Sequence, residues 1–155
     1  MSAAATIVEL REQPIDPAAA TAELEAKLGA ARVEAGAAAS FAGTVRAAAG
    51  EKLESMFLEH YPGMTEKQLV RIASRAAEEH GLAGIGLWHR HGLLRPLEVI
   101  VFVHAIAAHR QAAFAACGQV VDYLKTDAPF WKKETGSFGE RWVAPRAGEE
   151  QPRGE

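Results

Sequence analysis

The stretch that most constrains this chain runs from His109 to Glu134, HRQAAFAACGQVVDYLKTDAPFWKKE. Phe114, Cys117, Val121 and Leu124 recur at helical spacing and make an apolar stripe. Pro129 ends the helix, because a proline drives the residue before it, Ala128, out of helical geometry. Beyond the stop stand Phe130 and Trp131, then Lys132, Lys133 and Glu134. At about 100° per residue, Lys125 falls ~20° to one side of Phe114 and Arg110 ~40° to the other. A cation therefore flanks each end of the stripe. Snorkelling accounts for one such lysine, and the helix dipole favours it there. Two cations on one stripe, with two more lysines past the stop, favour an anion pocket. Arg110 and Lys125 stand about 22 Å apart along a straight helix. They either serve separate sites or meet across a two-fold interface, a second subunit setting its Arg110 beside Lys125. The second arrangement is the one expected here.

At 155 residues the chain is long enough for one domain with a real core, and its 48% hydrophobic and 24% charged content is ordinary for a globular protein. A net charge of −3 argues against a general nucleic-acid binder, so any basic site is local. No apolar run is long enough to span a membrane, and MSAAATIVELREQP lacks the layout of a signal peptide. The cytoplasm is the expected location. The single cysteine, Cys117, sits on the apolar stripe and reads as a small core hydrophobe. Disulfide scaffolds and cysteine-ligated zinc within one chain are excluded.

Thr6 to Leu10 reads as a first strand. Asp16 caps a helix that has Pro17 at its first position, runs to about Leu28 and ends at Gly29. Ala35 to Arg46 is small and β-compatible, with Gly43 allowing close backbone approach. Ala47 to Lys52 reads as a mobile loop and Leu53 to Tyr61 as a strand covered on both faces. Thr65 with Gln68 forms a capping box for a helix whose apolar face is Leu69, Ile72, Ala73 and Ala76. Ile85 to His91 and Glu98 to Ile106 are strands joined by a Gly/Pro-containing loop, the run VIVFV being central. Arg141 to Val143 forms a last short element. The expectation is one domain over residues 1–143, an α+β sandwich with helices on a mixed or antiparallel sheet, followed by a disordered tail over 144–155.

Six histidines invite a metal reading, but HExxH, cysteine partners and an acidic cluster at ligand spacing are all missing, and no metal is expected. G-x-S-x-G, the P-loop and G-x-G-x-x-G are absent too. Arg46 ends a Gly-containing strand at a loop edge, and His109 with Arg110 opens the main helix, where free N–H groups favour anions. Phe130 and Trp131 are expected to wedge into the core and fix the direction of Lys132. Together Arg46, His109, Arg110, Lys125 and Lys132 supply donors suited to a phosphate, with lysines that burial could tune. The residues alone stop at a small anionic ligand.

FAGTVR (41–46), LEHYPGMTEK (58–67), VIVFV leading to AHRQAAF (108–114), DYLKTDAPFWKKE (122–134) and ERWV (140–143) resemble the catalytic, large subunit of molybdopterin synthase. The similarity covers nearly everything between residues 35 and 145. It implies an α/β-hammerhead-like sandwich with a small antiparallel subsheet. It also implies a sulfurtransferase that converts cyclic pyranopterin monophosphate to molybdopterin without a cofactor. The sulfur would arrive as a thiocarboxylate on the C-terminal glycine of a small ubiquitin-like subunit, within a heterotetramer built on a dimer of large subunits. Neither nucleic acid nor membrane is an implied partner. By matching motif, Lys125 and Lys132 resemble the catalytic lysines. Thr44, Val45, Arg46, His109, Arg110, Lys133 and Glu134 resemble substrate-binding positions, with Arg141 a further anion contact. Two departures stand out: Pro96-Leu97-Glu98 replaces a Pro-Gly-acid turn, and the loop Ala47-Ala48-Ala49-Gly50 is small and apolar.

Overall fold

A computed structural model describes residues 3–143, and the tail expected from Ala144 lies outside the described residues. The described strands form two sheets. The first is mixed. Its strand β1 (Ala5–Arg11) runs parallel to β4 (Gly84–Arg90), which pairs antiparallel with β6 (Val99–Ala107), and β6 with β2 (Ala37–Thr44). The second is antiparallel, in the order β5 (Gly92–Leu94), β3 (Leu53–His60), β7 (Phe130–Gly136), β8 (Gly139–Trp142). This is the expected α+β arrangement, and VIVFV lies inside the first sheet as anticipated.

Helix α1 (Pro17–Leu28) starts where Asp16 accepts a hydrogen bond from the Ala18 N–H, 3.1 Å away, with Pro17 in the first turn. It covers one face of the first sheet, burying Leu24 against Trp88, Phe102 and Ile106. Helices α2 (Met64–His80) and α3 (Arg110–Asp127) cover the other face, where Leu69, Ile72, Ala73 and Ala76 meet Ile85, Leu87 and Val103. No described helix is long and apolar enough to cross a membrane.

The face of α3 that is buried differs from expectation. Ala113, Ala116, Cys117 and Val120 go inward, while Phe114 is 68% exposed. Small alanines let the helix axis come close to β2 and β6, which a phenylalanine would prevent. Strand β3 is covered on one face only: Met56 and Leu58 are buried, Phe57 and Glu59 exposed. Two strands escaped the sequence reading. Chain leaving β4 turns at Gly92 (φ 91°) and enters the second sheet as β5, and the segment after Pro129 is strand β7.

The capping box at Thr65 and Gln68 is also corrected. The cap of helix α2 lies two residues earlier, with Gly63 donating its N–H to the Glu66 carboxylate at 2.7 Å. Thr65 and Gln68 reach instead to the end of α3. The Thr65 hydroxyl, fully buried, accepts from the Tyr61 N–H (2.9 Å) and donates to the Pro129 carbonyl (3.1 Å), and Gln68 donates to the Asp127 carbonyl (3.3 Å). A helix end exposes carbonyls that need partners, and α2 supplies them.

Thr65→Val keeps the shape but leaves the Tyr61 N–H without its side-chain acceptor. It is expected to lower stability by about 1–3 kcal/mol in urea denaturation at an unchanged slope. A variant as stable as the parent would show that this bridge does not hold α2 to the α3 stop.

Candidate functional site

The end of α3 delivers the chain, through Ala128 and Pro129, directly into β7. Lys125 lies in the last turn of α3 and is exposed. Register then sorts the residues that follow. In an antiparallel pair, opposed residues point to the same face. Phe130, Lys132 and Glu134 oppose His60, Leu58 and Met56, whereas Trp131 and Lys133 oppose Glu59 and Phe57. Leu58 is 1% exposed and Phe57 43%, so Lys132 starts from the Leu58 face of β7 and Lys133 from the Phe57 face. The Lys132 side chain nevertheless extends into solvent, while Lys133 is half-buried. Val45, 2% exposed, packs with Met56, Leu58 and Leu94 on the Leu58 face, and Arg46 follows it. The backbone that leads into Arg46 therefore runs over the Leu58 face of the second sheet, and Arg46 itself is exposed.

The strand end carrying Thr44 and Arg46 is fixed by backbone bonds. Val45 donates to the Glu98 carbonyl (2.9 Å) and accepts from the Leu97 N–H (2.8 Å). Val45 therefore has its side chain in the core and both backbone groups engaged. Thr44, just past a register shift at Gly43, is exposed. The turn that grips Val45 keeps its shape although Leu97 stands in it: Leu97 takes φ 76°, a region that favours glycine, and is 84% exposed. Leu97→Gly is expected to raise stability by roughly 1 kcal/mol, read from the denaturation midpoint. An unchanged or lower midpoint would contradict strain at this turn.

Three predicted binding residues are occupied elsewhere. Arg141 forms two hydrogen bonds to Glu51 (2.8 and 3.1 Å), pairs with Glu134 at 2.9 Å and lies 3.8 Å over the Phe138 ring. Bonds to Glu51 and Glu134 push its basicity further up, and Arg141 in turn lowers the proton affinity of Glu51. Lys133 meets Glu140 at 3.2 Å on the Phe57 face. Arg141, Glu134 and Lys133 therefore tie the β7–β8 hairpin together. Through Glu51, and through Lys52 bonded to Ser137 in both directions, they also moor the end of the loop read as mobile.

His109 and Arg110 are exposed at the start of α3, with His109 at the cap position making no side-chain capping bond. They lie at the opposite end of the helix from Lys125. A cavity of about 240 Å³ opens between these ends, lined by Ala39, Ser40 and Phe41 of β2 and by Phe114, Gly118 and Val121 among others on α3. No predicted site residue lines it. Among the described residues, no group of three His, Cys, Asp or Glu side chains is placed to hold a metal.

Sequence reasoning weighed His89 only as a metal ligand, paired with His91 on one strand face, and set that reading aside. It is 6% exposed, its Nδ1 lies 2.8 Å from the Arg90 carbonyl, and its ring stacks on Phe130 (4.0 Å, 10°). Burial holds its pKa down to about 4, and the charge of Lys132 pushes in the same direction. His91 and His104 are lowered as well, chiefly by burial. Only the stop at Pro129 followed by an aromatic hinted at a neighbour for this ring.

These shifts give stability a pH dependence. The unfolded chain takes up protons near pH 6.5, whereas folded His89 resists until about 4. Stability is therefore full above pH 6.5 and falls as pH drops through that window, by about 1.4 kcal/mol per unit for one such group. Between pH 6.5 and 5, above the carboxylate range, His89 alone is expected to cost about 2 kcal/mol, and His89→Phe to remove that part of the slope. Urea midpoints across this range check it, and identical slopes in the two proteins would contradict it.

Two four-stranded sheets, the first covered by helices on both faces, define the class of fold as an α+β sandwich. Comparison with known proteins makes the class particular. The family model described as MoaE protein matches residues 10–127. The molybdopterin synthase catalytic subunit of Pseudomonas aeruginosa is 48% identical over 144 residues, covering 92% of this chain and 93% of that one. The solved molybdopterin biosynthesis MoaE protein of Burkholderia ambifaria superposes with a TM-score of 0.76 at 46% identity, covering 94% and 93% of the two chains. A Helicobacter pylori structure, a complex of subunits 1 and 2 of molybdopterin-converting factor, shares the fold with a TM-score of 0.71 at 15% identity, covering 94% and 92%. The chain belongs to the MoaE family, the catalytic subunits of molybdopterin synthase.

Proposed function

We propose that this chain inserts two sulfurs into cyclic pyranopterin monophosphate, forming the dithiolene of molybdopterin and opening the cyclic phosphate. The sulfur comes as a thiocarboxylate on the C-terminal glycine of a small ubiquitin-like subunit. The observation that carries this reading is the register of β7 on β3, which sets Lys132 opposite Leu58, a residue that packs with Val45 just before Arg46, and places it soon after the stop that follows Lys125. Sulfur attack and loss of the phosphate ester both need proton transfers, which Lys125 and Lys132 perform. Arg46, with Thr44 beside it, holds the phosphate. The buried thiol of Cys117, its proton affinity raised by burial, is not needed as a sulfur donor. A two-subunit complex in the structurally similar Helicobacter pylori protein supports a small partner for this chain.

The remaining anion contacts, His109 and Arg110, come from a second copy. Arg110 and Lys125 are equally far from the point between Cys117 and Gly118. Antiparallel packing of two α3 helices around that point would set Arg110 of one copy beside Lys125 of the other. Phe114, exposed there, supplies the apolar contact, and a bare Gly118 with open space above it allows close approach.

Lys125→Ala and Lys132→Ala are each expected to lower molybdopterin formation at least about a hundredfold, with dimer and carrier complex intact by size-exclusion chromatography. The assay mixes the protein with thiocarboxylated carrier and cyclic pyranopterin monophosphate. Near-normal product from either variant would remove that lysine from the chemistry. Normal product from both would leave a docking module.

A further inference from the structure

The chemistry proposed above depends on the direction of Lys132, and the residue it leaves unused nearby is His89. A backbone carbonyl only accepts hydrogen bonds, so the 2.8 Å contact to the Arg90 carbonyl puts the ring's proton on Nδ1 and leaves Nε2 as a lone pair. The ring is 6% exposed and nearly parallel to Phe130, with centroids 4.0 Å apart. Phe130 and Lys132 alternate onto the same face of β7. His89 thus lies under the residue two positions before the lysine, close enough for the lysine's charge to act on it. The other charged and titratable groups here are accounted for. His91, on the same chain run, faces the His60 ring at 4.3 Å, and Arg90 turns its guanidinium to Glu98 and to the Glu12 and Leu93 carbonyls.

We propose that His89 is a positioning residue for Lys132: a neutral ring stacked on Phe130 fixes the Leu58 face of β7 and keeps a second positive charge away from the lysine's ammonium. The stack sets where Phe130 sits, and the strand carries that placement two residues on to Lys132. A flat uncharged ring does this, whereas a protonated one would oppose the ammonium and lose its fit in an apolar site. This rests on the role given to Lys132 above.

The test uses the full chain, with two variants and two readouts. His89→Phe keeps the flat ring, and His89→Gln keeps a neutral donor without the ring. The first readout is steady-state product formation at pH 7.5. The expected result is kcat within about threefold of the parent for His89→Phe and about tenfold or more below it for His89→Gln, with KM for the cyclic substrate little changed in both. The second is the NMR titration of the Lys132 side chain in 13C-lysine-labelled protein, its line identified by its loss in Lys132→Arg. Its midpoint is expected to stay put in His89→Phe and to move by about half a pH unit or more in His89→Gln. Equal loss of kcat in the two variants, or an unmoved Lys132 line in His89→Gln, overturns the proposal. The titration needs no turnover, so an inactive parent protein would refute the sulfurtransferase reading and leave the positioning of Lys132 to be decided by the line alone.

Discussion

A straight helix cannot bring its own two ends together. The 18 residues of α3 hold Arg110 and Lys125 at opposite ends, about 22 Å apart along the axis. Everything else about the site follows from that separation. One end of the helix feeds β7 and its Lys132, and the other presents His109 and Arg110 to solvent. Between them lies a face that is apolar, exposed at Phe114 and hollow beside Gly118. On the proposed reading each monomer carries two half-sites, which a two-fold pair of such helices would complete by bringing His109 and Arg110 from the second copy.

The lysine end of the helix is held from several directions. Thr65 and Gln68 of α2 take the last free carbonyls, the β3 ladder fixes which side Lys132 emerges on, and the His89 ring lies under Phe130. Arg90, buried and bonded to Glu98 and to the Glu12 carbonyl, stiffens the bend where the chain passes from one sheet into the other. A flexible amine gains catalytic precision only when its backbone is immobile. These polar contacts, rather than a larger core, are what immobilise it. On the same face of β7 as Lys132, the Glu51–Arg141–Glu134 cluster braces the hairpin.

How much of this was legible in the sequence depended on how each residue is buried. The run VIVFV could only be a covered strand, and Asp16-Pro17 could hardly be anything but a helix start. Segment FWKKETG hid strand β7, because a lysine stands on each of its faces and no apolar alternation marks either side. On α3 the alanines that actually pack carry little hydrophobic signal, so Phe114 drew attention to the wrong face. Thr65 and Gln68 had capping-box spacing, yet Gly63 with Glu66 fits the same offset and leaves the hydroxyl free for a partner 64 positions away. Arg141 and Glu134 read as ligand contacts in the sequence because only three dimensions reveal Arg141 bridging Glu134 to Glu51, 90 positions away. Motif resemblance singled out the lysines and Arg46 as site residues, and register adds only which partner Lys132 faces on β3.

Mixing two inactive subunits tests the two-chain site most directly. Arg110→Ala and Lys132→Ala homodimers should each be nearly inactive, because every site in them lacks one contribution. After unfolding and refolding together, half the dimers should be mixed, each with one intact site. Recovery of about one quarter of the parent activity is therefore expected. No recovery, with mixed dimers demonstrated by mass spectrometry, would mean that Arg110 and Lys132 act within one chain and would contradict the account.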